Sequence, residues 1–285
     1  MSKSRPCDDC GNNIPQSLSL CPHCGRPSLP PNVAAASDAN EFEALEKRYV
    51  KAKADSKAAG TLGSVDNFET AVSSSVAVMA RSLNELQRLA KSDNELYATY
   101  YDLIEAGVRV PDGEKWDVVR VVADSALFPG YKEQIKFAAL SMDGIGLKNY
   151  GECSIVLRTD MIAHRATVFE ENSVLFMKRH NVRISDADQL LPGYRATWNN
   201  RGMLCVAKLH SMIDPTADPA RYSAILLRSG RTSEEDEFVE VHVWGPMTVR
   251  TMERVSIIGP NRRAKRAIMN ALKEGLARAG VGLEP

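Results

Sequence analysis

A short segment late in the chain carries a carboxylate and an imidazole two residues apart. In the run EFVEVHVWG, three valines alternate with Phe238, Glu240, His242 and Trp244. Because successive side chains of a β-strand point to opposite sides, the alternation predicts one aliphatic face and one face carrying an acid, an imidazole and two aromatic rings. Desolvation among rings tunes the proton affinity of both polar groups, so Glu240 and His242 are candidate catalytic residues. The alternative is a half-buried strand whose Glu and His only face water.

Four cysteines near the start of the chain form two CxxC pairs. Cys7 and Cys10 make the first pair, Cys21 and Cys24 the second, and a glycine follows each pair at once. Glycine permits the tight turn that lets two thiolates face one tetrahedral ion. This layout suits a metal site in a reducing compartment better than a disulfide framework. Residues 5–27 resemble the short zinc ribbons of many bacterial proteins, which implies a structural zinc ion and a zinc-ribbon unit over residues 1–27.

The bulk composition sets limits on the possible partners. The chain has 285 residues, of which 44% are hydrophobic, and its 36 basic side chains balance 36 acidic ones. A neutral protein has no overall field that attracts nucleic acid or anionic membrane, so such binding must come from local patches. Without an apolar run of about 20 residues or an apolar leader, we expect a cytoplasmic protein that does not contact the membrane.

Two regions follow the ribbon before the chain becomes mixed. Residues 28–40 are rich in Pro, Ala and Ser, which predicts a linker. Residues 41–107 form a helical region, in which one apolar stripe ends at Gly60 and a second runs from about Ser64 to Ile104. Two such helices are expected to form an antiparallel hairpin that packs on the chain or docks a partner helix.

Residues 108–285 are predicted to form an α+β domain. Helices are expected near 200–212 and over 261–279, and the last has a basic outer face suited to a polyphosphate backbone. Several short strands with few intervening helices indicate an antiparallel sheet rather than a doubly wound one. The expected strands are 135–140, 153–157, 166–169, 174–177, 224–227, 238–244 and 254–258.

A second polar stretch lies between residues 148 and 176. Tyr150 and Gly151 open a strand, Arg165 and Thr167 follow it, and a polar turn ends in Asn172 and Ser173. Polar groups at strand ends suit a cleft for a charged, hydrogen-bonding ligand, and an arginine can hold a phosphate through two hydrogen bonds.

In this order, the YG strand, the RxT strand, the turn ending in Ser and the late aromatic-x-Glu strand resemble bacterial and phage-borne ADP-ribosyltransferases, particularly toxin-like ones, over residues 130–260. The resemblance implies a split antiparallel β-sheet with an NAD cleft. It implies that Glu240 hydrogen-bonds the nicotinamide-side ribose and stabilises the cationic sugar as nicotinamide leaves. His242 would orient Glu240 or the acceptor. The NAD-binding positions it implies are Tyr150, Gly151, Arg165, Thr167, Asn172, Ser173 and Phe238.

The chain departs from relatives that modify protein arginine at the position two residues before the glutamate. Those relatives carry Glu or Gln there, and this chain has Phe238. The departure favours a nucleic-acid acceptor, RNA or DNA, since Phe238 or Trp244 can stack on a base. The expected protein is a toxin or defence effector, with an antitoxin bound to the zinc ribbon or the helical region. The alternative is a non-enzymatic zinc-ribbon protein that binds nucleic acid or a partner.

Overall fold

A computed structural model describes residues 4–7, 9–15, 17–105, 115–182, 190–216, 218–257 and 266–284. The helices are α1 Pro31–Ala36, α2 Ala39–Ala58, α3 Leu62–Ser73, α4 Leu83–Leu89, α5 Tyr100–Glu105, α6 Lys115–Leu127, α7 Thr159–Ile162, α8 Ser173–Arg179, α9 Arg201–Leu209, α10 Tyr222–Leu226 and α11 Arg266–Arg278. The strands are β1 Ser4–Pro6, β2 Asn13–Pro15, β3 Val76–Arg81, β4 Ile135–Ser141, β5 Cys153–Leu157, β6 Ala166–Phe169, β7 Arg195–Thr197, β8 Leu227–Arg228, β9 Glu237–Phe238, β10 Glu240–Trp244, β11 Met252–Ile257 and β12 Gly282–Glu284.

Eight of these strands form one large mixed sheet, in the order β12-β11-β5-β3-β4-β10-β6-β7. All neighbours are antiparallel except β11 and β12, which run parallel. The fold is therefore mixed α and β, in agreement with the predicted α+β class. Two small hairpins, β1 with β2 and β8 with β9, lie outside the large sheet.

The predicted alternation along β10 is confirmed. Val241 and Val243 are fully buried in the main hydrophobic core, together with residues of α2, α3 and α9. We call that side of the sheet the core face. Glu240 and His242 lie on the opposite side, the cleft face, which α6 and α8 cover in part through a second hydrophobic cluster.

The predicted long helix through residues 64–104 is wrong, because β3 lies at the centre of the sheet. α3 ends at Ser73, and Val76–Arg81 pairs with β4 on one side and β5 on the other. The apolar residues of this segment also fit helical spacing, which explains the error. A continuous apolar run that is buried on both faces, as Ala77, Val78 and Met79 are, is typical of a central strand.

Most of the other predicted strands and helices are confirmed, and two predicted strands are wrong. The strands at 135–140, 153–157, 166–169 and 254–258 and the helix at 200–212 are present within a few residues. The predicted strand at 174–177 is instead α8, because the Asn172 side chain accepts hydrogen bonds from the N–H groups of Val174 and Leu175. The segment 224–227 lies mostly in α10. The predicted linker contains α1, where Asn32 is buried and donates to the His242 carbonyl oxygen.

The basic face predicted for the last helix is described only in part. Arg262, Arg263 and Lys265 lie outside the described residues. Arg278 donates to the carbonyl oxygens of Ala90 and Lys91, so it fixes α11 against α4. Among the described helices, none combines the length and the apolar character needed to cross a membrane.

Candidate active site

The Glu240 carboxylate is held at a fixed position by two hydrogen bonds. The Ser173 backbone N–H donates to Glu240 Oε2 over 3.0 Å, and His242 Nε2 lies 3.0 Å from the same oxygen. Both side chains are nearly inaccessible to solvent, with Glu240 7% and His242 3% exposed. Glu240 Oε1 has no hydrogen-bond partner within the described part of the chain, so this oxygen can accept a hydrogen bond from a ligand.

Aromatic rings enclose the His242 imidazole. The ring centroids of Phe128 and Phe137 lie 4.8 and 5.3 Å from it in edge-to-face arrangements, and the Phe169 centroid lies 5.8 Å away. This packing fixes the imidazole plane and keeps water from the Glu240–His242 pair. His242 is therefore built to position Glu240.

Glu240 lines a cavity of about 270 Å³ on the cleft face. The floor is a row of three cross-strand neighbours, Val78 on β3, Ala139 on β4 and Glu240 on β10. Four of the predicted ligand-binding residues also line the cavity, namely Tyr150, Asn172, Ser173 and Phe238. The structure therefore brings Glu240 together with residues of the second polar stretch, 148–176.

Gly151 explains how Tyr150 reaches the cavity. Gly151 has φ of +145°, and a Cβ atom built on it would lie 2.2 Å from the carbonyl carbon of Arg81. Only glycine fits such a close backbone approach at this φ. Tyr150 is thereby held beside the end of β3, where Asn172 Nδ2 lies 3.5 Å from its phenolic oxygen. Burial, followed by the nearby Glu240 carboxylate, raises the pKa of Tyr150 to about 12.

Arg165 and Thr167 do not line the cavity. The Arg165 guanidinium donates to the carbonyl oxygens of Trp244 and Pro246, which ties it to the end of β10. Burial lowers the pKa of this guanidinium. Thr167 is buried opposite His242 on β6, with its hydroxyl 3.4 Å from Asn32 Nδ2. The polar side chains of both residues thus have partners within the protein and need no ligand to explain their positions.

Sequence reasoning missed five charged residues that line the cavity, among them Arg81, Arg120 and Asp124, the other two being Glu85 and Lys136. The Arg81 guanidinium carbon lies 4.9 Å from the Tyr97 ring centroid, and burial lowers the pKa of the guanidinium to about 10, so it stays cationic at neutral pH. A charged residue at the end of an apolar run, or within one, could have indicated these positions. Arg81 ends the run VAVMAR, and Arg120 and Asp124 lie within the run VVRVVADSAL.

Asp124 is a fully buried acid on α6. The Tyr101 hydroxyl donates to Asp124 Oδ2 over 2.8 Å, and Arg120 Nε lies 3.7 Å from the same oxygen. Asp124 Oδ1 is buried without a hydrogen-bond partner among the described residues. Burial raises the pKa of Asp124 to about 6, against the opposing effects of Arg120 and Tyr101.

The four predicted metal ligands come together at the other end of the chain. The Sγ atoms of Cys7, Cys10, Cys21 and Cys24 all lie within 4.8 Å of one another. Cys7 and Cys24 are 3.8 Å apart and Cys10 and Cys21 are 3.6 Å apart, close to the edge of about 3.8 Å that a tetrahedron of zinc–sulfur bonds of about 2.3 Å requires. These four cysteines could bind a metal such as zinc.

Comparison of the chain with protein-family models and with curated proteins finds no match.

Proposed function

We propose that the cleft around Glu240 binds NAD and that the protein is a mono-ADP-ribosyltransferase. The observation that carries this proposal is the buried Glu240 carboxylate, which is held on one oxygen by Ser173 N–H and His242 and lines a cavity with its other oxygen unpartnered. A buried carboxylate costs folding free energy, so one that is fixed at a cavity wall suits catalysis better than scaffolding. A protein that only bound a partner would not need this pair.

The carboxylate suits the charge that develops when a nicotinamide leaves ribose. As the C1′–N bond breaks, positive charge builds on the sugar ring, and a negative group fixed nearby stabilises it without reorganising. The low polarity around the Glu240–His242 pair strengthens that stabilisation. Glu240 Oε1 can in addition accept a hydrogen bond from a ribose hydroxyl.

The remaining side chains of the cavity match other parts of a dinucleotide. Arg81 supplies a cation suited to a diphosphate, and Tyr150 supplies an aromatic ring suited to a base. A volume of about 270 Å³ lies near the lower end of the range for small-molecule sites, so the cavity accommodates one nucleoside-sized half of the ligand. We assign that half to nicotinamide and its ribose, because Glu240 must contact them.

The test is nicotinamide release from NAD by the full chain and by its Glu240→Gln variant. Glutamine keeps the size, and its one oxygen can keep the contacts with Ser173 N–H and His242, but an NH2 group replaces Oε1 and the negative charge is lost, so we expect turnover to fall at least about 100-fold. The matched control is Glu237→Gln, an exposed acid on β9 that pairs with Arg228. Undiminished turnover by a folded Glu240→Gln protein would overturn the assignment.

We propose nucleic acid as the acceptor, because Phe238 occupies the cavity wall where a base can stack. Labelled NAD and the full chain are incubated in three separate reactions, one with RNA, one with DNA and one with a protein extract. We expect label in a nucleic-acid fraction and a loss of that label with Phe238→Leu, which keeps an apolar group but removes the ring. Label found only on protein would contradict this acceptor while leaving NAD turnover intact.

A further inference from the structure

The cavity holds a second acid that the chemistry of Glu240 does not use. Asp124 is fully buried and lines the same cavity as Glu240. One of its oxygens accepts from Tyr101, and the other, Oδ1, is buried without a partner in the described part of the chain. A buried polar atom without a partner costs folding free energy, so its presence at a cavity points to a ligand group that completes it.

The two carboxylates are held in different ways. Glu240 accepts from a backbone N–H and from His242, whereas Asp124 accepts from a phenol and lies near a guanidinium. Two acids in one site commonly divide the work, one stabilising charge and the other moving a proton. The group transfer needs both functions, because the nucleophile that replaces nicotinamide must lose a proton.

We propose that Asp124 is a second catalytic residue, the base that accepts the proton of the attacking water or acceptor hydroxyl. This inference rests on the NAD cleavage proposed above. In the step, the C1′–N bond breaks and its electron pair leaves on the nicotinamide nitrogen. A C1′–O bond forms to the nucleophile, and the proton of the nucleophile moves to Asp124 Oδ1 and passes to solvent when the product leaves.

The surroundings of Asp124 agree with this role. The groups that act on it electrostatically are Arg120 from its own helix, Tyr101 from α5, and Glu240 and His242 from β10. Arg120 and Tyr101 favour the ionised carboxylate that a base requires, while burial and Glu240 make it a stronger proton acceptor. A base is most effective when its pKa lies near the working pH.

The experiment measures nicotinamide release from NAD, with water as the nucleophile, as a function of pH. For the full chain we expect kcat to fall as the pH drops below about 6, where Asp124 becomes protonated. Asp124→Asn should lower kcat about 100-fold, leave the Kd for NAD unchanged within about 3-fold, and remove the acid limb of the profile. A residue that only supported the fold would leave the shape of the profile unchanged.

A second variant tests Asp124 without altering it. Tyr101→Phe removes a hydrogen bond that lowers the pKa of Asp124, so the acid limb of the pH profile should move to higher pH. If the unchanged chain does not cleave NAD, both proposals fall. If the unchanged chain cleaves NAD while Asp124→Asn keeps its rate and pH profile, or Tyr101→Phe leaves the limb in place, only the role of Asp124 falls.

Discussion

At the scale of residues, Asp124 and Glu240 show how one cavity carries two buried acids of different character. Glu240 gains two donors on one oxygen, which compensates part of the cost of burying its charge. Asp124 has one hydroxyl donor and a more distant guanidinium, and one oxygen is left unpartnered among the described residues. Ionisation of Asp124 therefore costs folding free energy, and this cost should be visible in the stability of the protein.

We predict that Asp124→Asn stabilises the protein at neutral pH. Because folding raises the pKa of Asp124 from 3.8 to about 6, the folded state binds this proton more tightly than the unfolded chain. The free energy of unfolding thus falls as the pH rises from about 4 to about 6, and the loss persists above that range. Urea unfolding at pH 7.5 should show a gain of about 1–3 kcal/mol for Asp124→Asn, with little gain at pH 4.

The control for this measurement is Asp160→Asn, an exposed acid in the first turn of α7. It makes the same chemical change where burial cannot contribute, so its effect should stay within about 0.5 kcal/mol. A loss of stability for Asp124→Asn at both pH values would show that ionised Asp124 is favourable to the fold, contrary to this account.

The sequence alone predicted that Glu240 and His242 share one face of a strand. It did not predict which residues lie across the cavity from them. A period of two is a local property, so the alternation in residues 238–244 revealed which side chains share a face. Arg81 and Asp124 join that site through tertiary packing, which no local pattern records. Arg165 was predicted to bind the ligand, but its guanidinium donates to backbone carbonyl oxygens. The sequence does not distinguish an arginine of this kind from one that binds phosphate.

At the scale of elements, the contact between Gly151 and β3 sets the width of the cavity. The backbone of Gly151 touches the backbone of Arg81, so the loop carrying Tyr150 lies directly beside the end of β3. We predict that Gly151→Ala lowers the free energy of unfolding by about 2–4 kcal/mol, since the new methyl group meets backbone atoms at a φ that L-residues avoid. Urea unfolding measures the loss.

Gly63→Ala is the matched control for Gly151→Ala. Gly63 lies in the first turn of α3, its φ is not positive, and a Cβ atom there would meet nothing within 4 Å. Alanine favours a helix over glycine by up to about 1 kcal/mol, so this variant should be neutral or more stable. An equal loss in both variants would show that the close approach to Arg81 has no energetic weight.

Elements were predicted well where their apolar pattern had one interpretation. β4, β5, β6 and β10 were found because short runs rich in apolar residues lie between turn residues. β3 and α8 were missed because Val76–Arg81 fits both helical and strand spacing, and residues 174–177 form a short apolar run that does not distinguish the two. The serines before β3 and the capping Asn172 before α8 were the signals that local reasoning could have used.

At the scale of the whole molecule, the four-cysteine cluster and the large sheet have separate sources of stability. The cluster has only a small hydrophobic core, in which Ile14 packs with Cys7 and Cys21. So small a core does not hold a fold without a metal. The sheet, in contrast, is supported by an extensive core on one face and by a second cluster on the other.

We predict one zinc ion per chain and a local response to its removal. Cys21→Ser should abolish zinc binding, measured by metal analysis, and should raise hydrogen exchange in residues 4–29 while the sheet strands keep their protection. Cys153→Ala serves as the control, because Cys153 is buried in β5 and is not part of the cluster. Zinc retained by Cys21→Ser at full occupancy would exclude a four-thiolate site.

The position of β3 at the centre of the sheet has a consequence for synthesis on the ribosome. β3 needs β4 and β5 as partners, and roughly 50 residues separate Arg81 from the start of β4. At about 5–20 residues per second, the apolar segment of β3 emerges several seconds before either partner. During that interval the nascent chain exposes a strand whose four middle residues are buried in the finished protein, and we expect chaperones that bind extended apolar segments to protect it.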